Sequence, residues 1–388
     1  MSAERMEYDA ADIKVLKGEE AVRKRPGMYV GSTGERGLHQ MVLEVVGRAV
    51  NEVLVGRAGS VGVTLTSDGG VRVADDGSGG PCEGAGDVGG PDLEELLTSF
   101  YVGPGARGRD IAAVGYFGVG LFVANALSSR LTAEVRGEGV RRVLEYARGV
   151  AVEPPAAVGS TTGSGTVISF WPDTEIFETT RCSFAVLAER FRQLAFLNRG
   201  LAISLTDERP AGGVRRVLFQ FPDGVRDFVA ALDAETGAAL LPDVIGLERE
   251  DPSMAGTMEV ALSWGGSDEA RIRGFANSRA TRQGGTHVDG FRDGVAAAVT
   301  AYARERGLLA AADPDPGADR LGVGLTAVVS VKLDQPEYLG ATRELLGNTD
   351  VRVCVAEAVR EHLGNWFAER PERAVEVVGR IVRGSDQD

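Results

Sequence analysis

Residues 37–54 read GLHQMVLEVVGRAVNEVL, and the spacing within them sets the first half of the fold. Leu38, Met41, Val42, Val45, Val46, Ala49 and Val50 return every three or four positions, the signature of an amphipathic helix with one apolar face. Glu44, Arg48, Asn51 and Glu52 follow at i, i+4, i+7 and i+8 and share one polar stripe opposite that face. Taken alone, the stripe reads as a solvated surface.

Upstream of this helix, an irregular arm (residues 1–14) leads into the helix-like segment KVLKGEEAVRKRP, which the Pro26-Gly27 turn ends. Downstream, the alternating strands SVGVTLTS and GVRVADD flank Ser67-Asp68-Gly69-Gly70, a hairpin signal. The second strand runs into Asp75-Asp76-Gly77-Ser78-Gly79-Gly80-Pro81. A strand end followed by glycine turns lines a ligand cleft or forms a plain surface loop. Residues 102–120 are glycine-rich and enter the apolar segment LFVANALSS, read as a helix. Glycines at a helix start let backbone N–H groups converge on an anion. GTVISFW is a strand, FAVLAERFRQLAFLN a helix, and a strand pair around AISLTDERP and VRRVLFQF closes this part near residue 222. Then come a helix at DFVAALDA, strands TMEVALSW and EARIRGFAN, the loop TRQGGTHVDGF, the helix RDGVAAAVTAYARERG, the strand LTAVVSVKL and two final helices.

With 43% apolar and 25% charged residues, the chain reads as globular and large enough for two domains. It lacks a signal-peptide pattern and any run near the roughly 18 apolar residues of a membrane span, so a cytoplasmic location without membrane contact is expected. The net charge of −14 disfavours nucleic acid as a general partner. Cys82, Cys182 and Cys354 show no CxxC pairing, so neither a disulfide framework nor a zinc site is expected. Lysine occurs only at Lys14, Lys17, Lys24 and Lys332, which leaves most phosphate contacts to arginine. His287 reads as structural rather than catalytic, and His362 as a surface helix residue.

The stretches IKVLKGEEAVRKRPGMYVGST, LEVVGRAVNEVLVG, ADDGSGGP, FGVGLFVANALSS, GTVISFWPD, ERFRQLAFLNRG, GGTHVDGFR and LTAVVSVKL occur in an order that resembles the N-terminal ATPase fragment of the DNA gyrase B family. That family belongs with Hsp90, histidine kinases and MutL. The similarity runs from Tyr8 to about Arg383. It implies an α/β (α+β sandwich) fold, with a nucleotide domain over residues 1–222 and a ribosomal-S5-like transducer domain over 223–388. It also implies that the chain stops where the family's DNA-cleavage domain would begin, short of a complete topoisomerase polypeptide.

Carried over by position, the resemblance makes Asp75 the acceptor of the adenine amino group, supported by Thr166, and Glu44 the general base. Gly77 and Gly79 shape the base turn, and Asn51 and Glu52 continue the ligand-facing helix. Gly118, Val119 and Gly120 form the phosphate nest, and Tyr8 and Ile13 are arm residues that reach a partner in a homodimer. Several positions depart from the family. Gln40 replaces a histidine one turn before Glu44 and cannot share its proton. Arg48 replaces the magnesium-binding asparagine and has no lone pair for a cation, so Mg2+ binding is expected to be lost or displaced and no metal ligand is assigned. Arg48 could pair with Glu44 one turn away or contact an anionic ligand. Arg107 and Arg109 stand near an expected lysine, and Ala341-Thr342-Arg343 replaces a glutamine-threonine-lysine loop. Gly80 and Gly137 replace a branched residue and an arginine of the family's coumarin site, which suggests a widened pocket. Three functions remain open: a divergent stand-alone ATP-binding protein with weak or altered hydrolysis, a repurposed small-molecule enzyme using Glu44, Arg48 and Gln40, and a non-catalytic drug-binding or gyrase-regulating protein.

Overall fold

The computed structural model describes residues 16, 18–79, 92–100, 120–154, 156–235, 244–265, 269–340 and 342–383. Tyr8, Ile13, Gly80, Arg107, Arg109, Gly118, Val119 and Ala341 lie outside these residues. The first part runs α1 (Gly18–Lys24), α2 (Gly27–Val30), α3 (Glu35–Leu54), β1 (Ser60–Leu65), β2 (Val71–Asp75), α4 (Leu93–Thr98), α5 (Gly120–Ala126), β3 (Ser128–Gly137), β4 (Val140–Ala147), β5 (Val150–Ala151), β6 (Ala156–Ser160), β7 (Gly165–Pro172), α6 (Phe184–Leu197), β8 (Ala202–Asp207) and β9 (Arg215–Phe219). It continues with α7 (Val225–Ala234), β10 (Ile245–Asp251), β11 (Gly256–Trp264), β12 (Arg271–Ala276), β13 (Arg279–Ala280), α8 (Thr286–Glu305), α9 (Ala318–Leu321), β14 (Leu325–Leu333), β15 (Tyr338–Leu339), β16 (Leu345–Leu346), α10 (Thr349–Glu369) and α11 (Pro371–Arg383).

Strands β1 to β9 make one sheet in the order β5-β4-β3-β7-β2-β1-β8-β9, with β6 also on β4. Buried and less buried residues alternate along β1, β2 and β7, so one sheet face carries the core. Helix α3 covers β1 and β2 on that face. The apolar row of α3 is buried as its spacing requires, but Gln40 and Glu44 are buried as well. The polar stripe is therefore not a solvated face at Glu44, where the first N–H of α5 reaches its carboxylate.

The second sheet has the order β10-β11-β14-β12-β13. Strand β14 is buried along nearly its whole length, as a strand with helices on both faces must be. Helices α8, α10 and α11 share a core with Val329 and Val331, while α7 packs on Val328 from the other side. Between the two sheets, Phe196 of α6 stacks on Phe228 of α7 with centroids 4.7 Å apart, and Phe221 and Phe275 extend the aromatic group. No helix among the described residues is long and apolar enough to cross a membrane.

Several elements differ from the sequence expectations. The LFVANALSS helix stops at Ala126, and its two serines start β3. The hairpin β3–β4 and strand β10 are not among the expected strands, although Leu131, Ala133 and Val135 alternate as a half-buried strand does. The residues THVDGF, read as loop, open helix α8. His287 there is fully buried, with Nε2 3.0 Å from Thr281 Oγ1 and no partner for Nδ1. A Cβ at Gly274 would lie 2.7 Å from its Nε2, so glycine leaves room for the ring. His362 is half-buried rather than a free surface residue, and Cys182 and Cys354 are buried free thiols.

Burial lowers the His287 pKa from 6.5 to about 3. The unfolded chain therefore binds a proton that the folded chain refuses between those values. The contribution of neutral His287 is fully present above pH 6.5 and is lost as pH falls toward 3, at about 1.4 kcal/mol per pH unit. Denaturant titrations at stepped pH are expected to show a shallower acid decline for His287→Gln than for the parent. Equal slopes would mean the ring is protonated in the fold.

Candidate functional site

Asp75 ends β2, and the period of two puts it on the same face as Val71 and Val73, toward α3. In the antiparallel register Asp75 lies opposite Thr166 of β7, so their side chains sit side by side on the core face. Asp76 points the other way and accepts from Gly59 N, Ser60 N and Ser60 Oγ, at 2.7 to 2.9 Å. The two adjacent acids thus have separate tasks. Asp76 holds the turn, and Asp75 enters the cleft.

Above them, Gln40, Glu44 and Arg48 form one row of α3 at i, i+4 and i+8. Gln40 Nε2 donates to Glu44 Oε1 at 2.8 Å, and Gly120 N, the first residue of α5, donates to Glu44 Oε2 at 3.1 Å. Gln40 Oε1 is buried without a hydrogen-bond partner. Arg48 does not pair with Glu44. Its Nη1 donates to Asp75 Oδ2 and its Nη2 to Thr166 Oγ1, the latter at 3.1 Å. The Arg48 side chain is 17% exposed and that of Asp75 2%. The other Asp75 oxygen accepts from Gly77 N at 3.1 Å. Burial pushes the Asp75 carboxyl above the ordinary carboxylate value, opposed by the Arg48 charge and the Gly77 N–H. An arginine reaches this far because its stem is long and its planar fork can serve two acceptors at once.

The structure therefore places two bonded groups on neighbouring turns of α3: Gln40, Glu44 and Gly120 in one, and Arg48, Asp75, Thr166 and Gly77 in the other. Asn51 and Glu52 follow on α3, half-buried, and Glu52 pairs with Arg57 at 2.9 Å. Arg343 lies between β15 and β16 with an exposed side chain and a φ of 54°, and among the described residues it makes no ion pair with the α3 row. No group of three His, Cys, Asp or Glu side chains among the described residues could hold a metal ion.

The pocket wall is tighter than the small residues suggest. A Cβ at Gly79, whose φ is +66°, would lie 1.9 Å from Arg136 O. One at Gly137 would lie 2.7 Å from Gly79 O and 2.8 Å from Ser78 O. The turn presses on β3, so Gly137 marks a close backbone approach. Gly165, read in the sequence only as the start of a strand, carries a further constraint. Its φ is +133°, and a Cβ there would lie 2.5 Å from Asp75 O. The available signal was a glycine at the first position of a strand, where close backbone approach is common.

A family model described as DNA gyrase B matches residues 224–388. The DNA gyrase B protein of Streptomyces coelicolor is 42% identical over 394 residues, covering 97% of this chain and 57% of that protein. The novobiocin-resistant DNA gyrase B protein of Streptomyces niveus is 41% identical over 393 residues, covering 97% and 58%. The chain thus spans less than two thirds of the length of these curated relatives. The 43K ATPase domain of Thermus thermophilus gyrase B, solved in complex with an aminocoumarin, matches with a TM-score of 0.80 at 33% identity, covering 95% of this chain and 94% of that one.

Replacing Gly137 with arginine is expected to cost about 1–3 kcal/mol of stability, the range for forcing bulk into a packed site. Denaturant unfolding of Gly137→Arg measures it. An unchanged midpoint would show that the 77–79 turn moves aside freely.

Proposed function

Because the chain belongs to the DNA gyrase B family of ATPase domains, we propose that it is a divergent nucleotide-binding member in which Arg48 holds the base site closed, so that ATP binds weakly and magnesium-dependent hydrolysis is suppressed. The observation that carries this reading is the bonding of one guanidinium to both Asp75 and Thr166. These are the residues that the family resemblance assigns to the adenine amino group. To admit adenine as the family does, Asp75 must part from Arg48. Breaking a pair of which one member is fully buried and the other partly exposed costs about 3 kcal/mol, or roughly a hundredfold in affinity.

The residues present do not fit a magnesium-bound nucleotide held in the family's manner. The side chain at the magnesium position is a cation without a lone pair, and its charge is committed to Asp75. Glu44 keeps the carboxylate of a general base, but Gln40 beside it is an amide that cannot relay a proton near neutral pH. No hydrolytic step is therefore assigned to the site.

In this reading residues 1–222 are the nucleotide domain and 223–388 the transducer domain. Dimerisation through Tyr8 and Ile13 of the arm and a cytoplasmic location rest on the family resemblance. Activities of the longer relatives, DNA cleavage included, are not assigned to this chain.

Calorimetric titration with ATP and a non-hydrolysable analogue, with and without magnesium, combined with phosphate release, tests the proposal. Arg48→Asn is expected to tighten magnesium-ATP binding roughly ten- to a hundredfold over the parent by freeing Asp75 and Thr166. Micromolar binding with turnover by the parent, unchanged in Arg48→Asn, would overturn it.

A further inference from the structure

We infer that the Asp75 cleft favours a ligand carrying an acceptor oxygen where the family's base carries an amino group, that is, a 6-oxopurine nucleotide over an adenine nucleotide. This rests on the reading of the cleft as a nucleotide pocket and concerns only the polarity of its base end.

The donors and acceptors at that end are countable. Asp75 Oδ2 holds Arg48 Nη1, Asp75 Oδ1 holds Gly77 N, and Thr166 Oγ1 holds Arg48 Nη2. Each acceptor that would meet an amino group already receives one donor from the chain, and Asp75 Oδ2 and Thr166 Oγ1 receive theirs from the same cation. On the other side, a guanidinium has five N–H donors and no acceptor, and Arg48 makes two hydrogen bonds among the described residues. With its side chain 17% exposed, the guanidinium keeps further N–H donors without a partner among the described residues.

An amino group brought to this place meets a cation and its N–H bonds, donor against donor. A carbonyl oxygen meets the same group as a charge-assisted acceptor. It does so without separating Arg48 from Asp75, whose carboxylate continues to balance the charge. The replacement of a short amide by a long cation thus converts the base end from an acceptor of N–H into a donor of N–H. Sites that hydrogen-bond one substituent discriminate strongly against its opposite, because the mismatch strands buried polar groups.

ATP and inosine 5′-triphosphate form the test pair, since the 6-amino group and N1 acceptor of one are a 6-oxo group and an N1–H donor in the other, and the N1–H can use a second lone pair of Asp75. Equilibrium competition against a fluorescent nucleotide on the purified full chain, with and without magnesium, gives the ratio of dissociation constants. The parent is expected to bind inosine triphosphate at least tenfold more tightly than ATP, and Arg48→Asn to reverse the preference. Arg48→Gln, which keeps an uncharged amide nearer the parent's length, is expected to fall between and serves if Arg48→Asn does not fold. Equal or tighter binding of ATP by the parent overturns the inference, as does an unaltered ratio in the folded variants. Binding of neither nucleotide by the parent also overturns it. If Arg48→Asn then gains ATP binding, the closed base site proposed above stands while its inverted polarity falls.

Discussion

The Arg48 guanidinium joins the helix layer to the strand ends, and the arrangement of the cleft depends on where it is held. Asp75 and Thr166 are brought together by the antiparallel register of β2 and β7, so strand pairing sets the two acceptors side by side. Helix α3 is fixed in turn by its apolar row, which leaves Gln40, Glu44 and Arg48 facing the cleft at successive turns. Arginine closes the gap with one planar group, and Glu44 is left to bond along its own helix and to Gly120.

That outcome explains what the sequence could and could not convey. Helix α3, the β1–β2 hairpin, β7, α6 and β14 were legible because their apolar periods are clean and each is bounded by turn chemistry. The β3–β4 hairpin was not, since charged residues interrupt its alternation, as in Arg136, Arg141 and Arg142. The start of α8 was hidden because GGTHVDGF carries loop-type residues, while the burial of His287 and Val288 makes it helix. At the site, the residue types were legible and the partners were not. Spacing alone offers Glu44 to Arg48 as an i−4 neighbour. The tertiary register supplies Asp75 and Thr166 instead, already side by side and buried.

Similarly, the small residues around the cleft have a meaning that sequence could not assign. Gly79, Gly137 and Gly165 each sit where a backbone carbonyl approaches within van der Waals distance of a missing Cβ. They let the turn after Asp75 fold back onto β3 and β7. At these three positions the missing side chain makes room for backbone.

The Phe196–Phe228 stack has a mechanical consequence. Phe196 is rooted in the helix beside the first sheet and Phe228 in the helix that covers the second. Their interplanar angle is only 8°, so the rings meet face to face. They cannot part without exposing both faces to water. Beside them Asn198 and Ser278 exchange buried hydrogen bonds, which sliding of the rings would break. Such a joint resists shear as well as separation, so a rotation of one half of the molecule would be handed to the other.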